Sequence, residues 1–253
     1  AKQYEHGTGV DKDIEKAQMW YGVSASQNHD FANYKLGQMY LKNSKGAIEQ
    51  DVSLGLEYCL SAYRSFSSSL NYEIASTDTF SNSNDWLPFQ KENDIGAYKQ
   101  YLIGQMWLNG EILQDYSQIY NERTHAIDKS VSLDNLQPDY ERARVWFTAA
   151  GFNGNANAYY KLGQMAEQGI GQEQDKELAL SHYEKAAELD NPYASYKAYT
   201  MYRDGIGAED NDAQIAKHLI KASSANIPQA ELALANLLEK GENLHLGQDT
   251  EMS

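Results

Sequence analysis

Read with a step of 36 residues, the chain lines up with itself. Gly163 falls on Tyr199 and then Ala235, and Trp146 falls on His182 and then His218. The run Tyr160-Lys161-Leu162-Gly163-Gln164-Met165 has near copies at Tyr34–Met39 and Tyr101–Met106. A fixed period in the thirties constrains the fold more than any local propensity. Each unit is one supersecondary element that cannot bury its apolar face alone, so neighbours must stack. The expectation is an all-α fold, an α/α superhelical solenoid of helix-turn-helix repeats. Such arrays present long surfaces rather than enclosed pockets, which makes binding the default expectation.

Each unit reads as two helices, A and B. Helix A carries apolar residues at i, i+3 and i+4 and a recurrent glycine (Gly37, Gly104, Gly163) inside it. A mid-helix glycine costs about 1 kcal/mol against alanine, so its recurrence predicts a close helix approach. Helix A stops at Gly7, Gly110, Gly169, Gly205 and Gly241, with Asn43 in the same slot. Gly and Asn take the left-handed C-terminal turn at little cost. The second glycines, Gly9, Gly171 and Gly207, recur once per unit with no strand before them. They therefore read as connecting turns, not a phosphate loop. Helix B starts after Asp13, Asp51, Asp139, Asp175 and Asn211, residue types that cap helices. Small residues at Ser24, Ala62, Ala150, Ala186 and Ala222 predict close packing by the next helix.

The segment from Glu5-His6-Gly7-Thr8-Gly9 through Asp13 to Trp20-Tyr21 resembles the Sel-one-like repeat, a relative of the tetratricopeptide repeat. So does Leu162-Gly163 through Gly169, Gly171 and Asp175 to Tyr183-Glu184-Lys185-Ala186-Ala187. The resemblance covers most of residues 1–63 and 95–241. It implies a right-handed superhelix whose members scaffold protein complexes in bacteria and in eukaryotic protein quality control. Some bacterial members have been called hydrolases, but those carry a cysteine pair per repeat. Cys59 is the single cysteine of this chain, so that activity does not carry over.

The formal charge of −15 argues against duplex nucleic acid or an anionic membrane surface, both of which need clustered Lys and Arg. A protein or peptide partner, cationic or polar, fits better. No apolar run approaches the roughly 18–20 residues of a membrane helix, so no membrane insertion is expected. Nothing nominates a cofactor or a metal site. His182 and His218 share the tryptophan slot of neighbouring units and could stack, but no second ligand sits a helical step from both. No nucleophile elbow, zinc helix or phosphate loop occurs, so an enzyme is not expected.

Two units are stretched. The expected organisation is repeats over 1–63, an insertion over 64–94, repeats over 95–241 with a further insertion at about 111–138, and a tail over 242–253. The first insertion holds Phe66, Tyr72, Phe80, Trp86 and Phe89. Within the second, the spacing of Ile112, Tyr116, Ile119 and Tyr120 predicts one or two further helical turns. Insertions in repeat arrays collect at binding faces, and a purely solvated loop holds few aromatics.

By the resemblance, the A helices line the concave wall. Along them stand Tyr34 and Gln38, Tyr101 and Gln105, and Tyr160 and Gln164, at i and i+4. With Tyr98, Leu108 and the insertion's Trp86, these are the candidate partner-binding residues. Tyrosine offers apolar area with a polar tip, and glutamine both donates and accepts. The functional expectation is a non-catalytic scaffold or adaptor binding a protein or extended peptide. The alternatives are an enzyme-regulatory subunit and a cell-envelope glycan binder, the latter favoured if Trp86 and Trp107 are exposed together. The chain opens within a repeat, which implies a removed upstream segment. The expected compartment leans to the bacterial periplasm or secretion, with the cytoplasm open.

Overall fold

The computed structural model describes residues 1–42, 49–70, 94–112, 120–121, 126–207 and 212–239. Among them the helices run α1 (Lys2–His6), α2 (Ile14–Ala25), α3 (Asp30–Lys42), α4 (Val52–Ser69) and α5 (Asp94–Leu108). After two short paired strands come α6 (Tyr140–Phe152), α7 (Ala156–Gln168), α8 (Lys176–Glu188), α9 (Pro192–Arg203), α10 (Asp212–Ser224) and α11 (Pro228–Glu239). Odd-numbered helices up to α5 are A helices and α2 and α4 are B helices. From α6 onward the even-numbered helices are B. The chain is an all-α repeat solenoid.

One hydrogen-bonding scheme recurs in the described A-to-B turns. A left-handed glycine ends helix A at Gly7, Gly110, Gly169 and Gly205. The amides of Thr8, Glu111, Ile170 and Ile206 then reach back to the carbonyls of Gln3, Met106, Met165 and Met201. This is the six-to-one bond that satisfies a helix's last acceptors. The chain next reaches the capping aspartate. Its own N–H donates to the A helix (Asp13 to Tyr4, Asp139 to Trp107, Asp175 to Ala166), and its carboxylate accepts from Lys16, Arg142 and Leu178 N–H at 2.8–2.9 Å. Backbone and side chain of one residue thus clamp both helices of the hairpin.

The B-to-A turn uses the same chemistry with different residues. Asn28, Gly154, Asp190 and Asn226 all have positive φ. The amides after them reach back to the carbonyls of Ser24, Ala150, Ala186 and Ala222, the small-residue slot. In α4 that slot is Ala62, and the left-handed position four residues on is Phe66. A phenylalanine disfavours that conformation, so α4 does not stop and runs through Ser69. Phe66 is fully buried and packs on Phe31 and Tyr34. The helix therefore continues beyond residue 63, where the repeat block was expected to end.

The described residues form two compact units, one drawn from 1–90 and 102–143, the other from 91–101 and 144–253. In the first, Ala17, Tyr21, Ala25, Ala32, Leu36 and Met39 form a core between α2 and α3. α3 and α4 come closest at paired glycines. A Cβ on Gly37 would lie 2.6 Å from Cys59 Sγ and 2.8 Å from the Gly55 carbonyl oxygen. The expectation of a close approach at this slot holds. In the second unit, a Cβ on Gly163 would meet the buried Tyr183 ring at 2.6 Å.

Most of the segment of the second insertion that was expected to form helical turns, residues 113–119, lies outside the described residues. Tyr120 and Asn121 pair antiparallel with Ile127 and Ala126 as two short strands. Ile112 is buried directly after helix α5 ends, and Tyr116 and Ile119 lie outside the described residues. The Ile127 N–H donates to Glu57 on α4 at 2.9 Å, which fastens the strand pair to the first unit.

Candidate functional site

In the second unit the candidate wall is the outward face of α7 and α9. Tyr160 and Gln164 stand four residues apart on α7 and are both half-buried. Gln164 lies close to the Tyr160 hydroxyl, and its Oε1 accepts from Lys161 Nζ at 3.0 Å. Tyr160 packs its ring on Tyr183, 5.5 Å between centroids. On α9, Tyr193 lies close enough to Tyr160 to influence its ionisation and is 61% exposed. Burial raises the Tyr160 pKa, so its hydroxyl stays protonated near neutrality and can donate. The face combines aromatic area with donors and acceptors, which suits a polypeptide.

Close to Tyr160 lies a polar triad that the sequence pattern had not pointed to. Glu167 at the end of α7 accepts from the Tyr183 hydroxyl of α8 at 2.6 Å and pairs with Lys197 of α9 at 2.9 Å. The first unit repeats it: Glu5 accepts from Tyr21 at 2.6 Å and pairs with Lys35 at 3.2 Å. The offsets are 16 and 30 residues in both. Burial pushes the Glu5 carboxyl up, but the Tyr21 hydrogen bond and the Lys35 charge outweigh it and hold the pKa low. The signal is present in the sequence as two identical spacings, but the middle units interrupt it.

The first unit uses its ladder internally. Tyr34 is only 4% exposed, covered by Phe66 of the overrunning α4, which takes it out of any partner-facing set. Gln38 donates to the Tyr34 hydroxyl at 2.7 Å and to Glu111 at 3.1 Å. Glu111 is itself buried and also takes Asn109 Nδ2 at 3.1 Å and Lys42 Nζ at 3.2 Å. That cluster ties the residue after α5 to α3 and reads as structural, since its carboxylate is closed off by three donors.

On α5, Tyr98 is 43% exposed and stacks on Tyr101, 6.2 Å between centroids. Tyr101 is half-buried and leans on Phe147 of α6. Gln105 and Leu108 are half-buried. Trp86 lies outside the described residues. Trp107 is buried at 5% exposure under the Arg142 guanidinium, 4.7 Å from its ring centroid. The exposed tryptophan pair that would favour glycan binding is therefore missing its Trp107 half.

The two histidines do not stack on each other. His182 stacks on Tyr159 and His218 on Tyr202. Burial lowers both to about 4, with neighbouring lysines adding to the effect, so both rings are neutral near pH 7. Among the described residues no group of three or more His, Cys, Asp or Glu could hold a metal ion. Among the same residues no helix is long and apolar enough to cross a membrane.

The hairpin scheme and its spacing agree with a family model. The Sel1 repeat model matches residues 2–29, 30–65, 132–154 and 156–191. The chain carries four Sel1 repeats. The joins at 29/30 and at 154–156 fall on the left-handed B-to-A turns, and α9–α10 continue the scheme past the last match. A putative sel1-like repeat-containing protein of Acanthamoeba polyphaga mimivirus is 48% identical over 42 residues. That match covers 17% of this chain and 8% of the relative, so the chain spans a small part of that protein's length. A Sel1 repeat protein from Oxalobacter formigenes matches at a TM-score of 0.59 and 19% identity, covering 98% of this chain and 79% of that one. A protective antigen of uropathogenic Escherichia coli with an SLR fold matches at a TM-score of 0.38 and 19% identity, covering 94% and 55%. The Oxalobacter likeness supports the fold alone. Sel1 repeats generally serve as protein-interaction scaffolds.

Proposed function

We propose that this Sel1 repeat chain is a non-catalytic scaffold that binds an extended segment of a partner protein. The contact surface is the A-helix face of the second unit, with Tyr193, Tyr160 and Gln164 at its centre and Tyr98 and Tyr101 on the A helix of the preceding repeat. The observation that carries the reading is the exposed Tyr193 beside Tyr160 and Gln164. Exposed aromatics next to polar groups with free hydrogen-bonding capacity mark interfaces more often than solvated surface. Among the described residues, the B helices α8 and α10 expose Leu178 and Ile220 but no comparable aromatic ring.

Panning a displayed library of random peptides against the full chain tests it. Selected peptides are expected to lose most of their affinity on Tyr193→Ala/Gln164→Ala and to keep it on Leu178→Ala, an exposed change on helix α8. Loss on Leu178→Ala with retention on the A-helix pair would place binding on the other face.

A further inference from the structure

Lys161 occupies the slot that Lys35 and Lys197 fill in other repeats, two residues before the glycine slot of helix A. In those two repeats the ammonium meets a carboxylate, Glu5 at 3.2 Å and Glu167 at 2.9 Å, and a tyrosine hydroxyl shares that carboxylate. The chain itself thus shows what this slot's lysine takes as a partner. For Lys161 the corresponding glutamate position is Leu108 and the corresponding tyrosine position is the buried Phe147. Neither can accept a hydrogen bond. The amine is half-buried and, among the described residues, its hydrogen bond goes to the neutral Gln164 Oε1 at 3.0 Å. Burial lowers its pKa, and among the described residues no carboxylate acts against the shift, in contrast to the exposed, paired Lys16, which is raised. A desolvated ammonium without a counter-charge is an unfavourable arrangement that an incoming anion relieves.

We propose that Lys161, with Gln164 beside it, is a receptor for a carboxylate on the bound partner segment, so that the segment carries an Asp or Glu at that register. This rests on the reading of the A-helix face as the binding surface and adds its local specificity. The chain's net charge of −15 runs the other way, since the general field favours basic segments. A carboxylate requirement would therefore be a site property and not a result of the overall field. The slot also gives register, because a single buried charge pair penalises shifted alignments of an otherwise repetitive face.

The experiment is the same displayed library of random peptides, panned in parallel on the wild-type full chain, on Lys161→Met and on Lys197→Met, near physiological salt. The expected result is one position enriched in Asp or Glu on wild type and on Lys197→Met, and no such enrichment on Lys161→Met. An acidic peptide from the wild-type pool should bind Lys161→Met about ten-fold or more weakly, the scale of a lost charge-assisted hydrogen bond. Its binding should also protect Lys161 from reductive methylation, read by mass spectrometry. Binders that show no acidic position, or an acidic position that survives Lys161→Met, overturn the carboxylate receptor while leaving the binding face intact. A wild-type chain that selects no peptide overturns both. Thermal midpoints within a few degrees of wild type identify folded variants. Should Lys161→Met fall outside that range, Lys161→Gln carries the same comparison.

Discussion

At the scale of single residues, the glycine slot is legible in the sequence and its neighbours are not. Recurrence of Gly37 and Gly163 at one register predicts close approach, and both lack room for a Cβ. The two contacts differ in kind. At Gly37 the obstruction includes backbone, the Gly55 carbonyl, whereas at Gly163 it is the Tyr183 ring. Gly163→Leu should lower stability by at least the roughly 1–3 kcal/mol of overpacking, because Tyr183 is buried and held by Glu167. Gln164→Ala should stay within about 0.5 kcal/mol, as surface changes usually do. Equal shifts of the two denaturant midpoints would mean that the faces of α7 have been assigned the wrong way round. Tyr34 shares the register of Tyr101 and Tyr160, which is why it is expected on the wall. It is buried by Phe66, a side chain from the helix overrun, and no periodic pattern within α3 carries that information.

At the scale of elements, the caps and turns follow from residue types at fixed spacing, and this part of the fold is legible in the sequence alone. The overrun of α4 is missed by the expected boundary at residue 63, although its signal is present, since Phe66 stands where Asn, Gly or Asp stand elsewhere. The strand pair of the second insertion is not legible, because four apolar or aromatic residues in a short segment fit a helical turn as well as a strand. Helices α8 and α10 carry a prediction of their own. His182 and His218 titrate near 6.5 when unfolded and are lowered to about 4 when folded. Between those values the unfolded chain binds more protons than the folded one, so stability is complete above about pH 6.5 and falls as pH drops toward 4. The groups facing them favour this: Lys185 lies near His182, and Lys217 and Lys221 near His218, with Glu188 opposing. Both ring nitrogens of His218 are buried without a partner among the described residues, so none of these residues holds its proton. Thermal midpoints at pH 7.5 and 5.5 should differ for wild type and differ less for His182→Phe/His218→Phe. An undiminished difference would assign the acid loss to other groups.

At the scale of the whole molecule, the chain is an array with two compact units, each with a core of its own. In a quasi-one-dimensional protein, cooperativity need not extend along the full length. Amide hydrogen exchange should give one protection free energy for α2–α4 and another for α7–α10, and a single value for both would show one cooperative fold. The same experiment bears on function when it is repeated with a peptide selected on the full chain. Binding at the A-helix face predicts added protection and slowed exchange in the A helices of the second unit, α7 and α9 first, with α8, α10 and the first unit unchanged. Protection that appears on α8 and α10, or that is confined to α2–α4, would contradict the assignment of the binding surface.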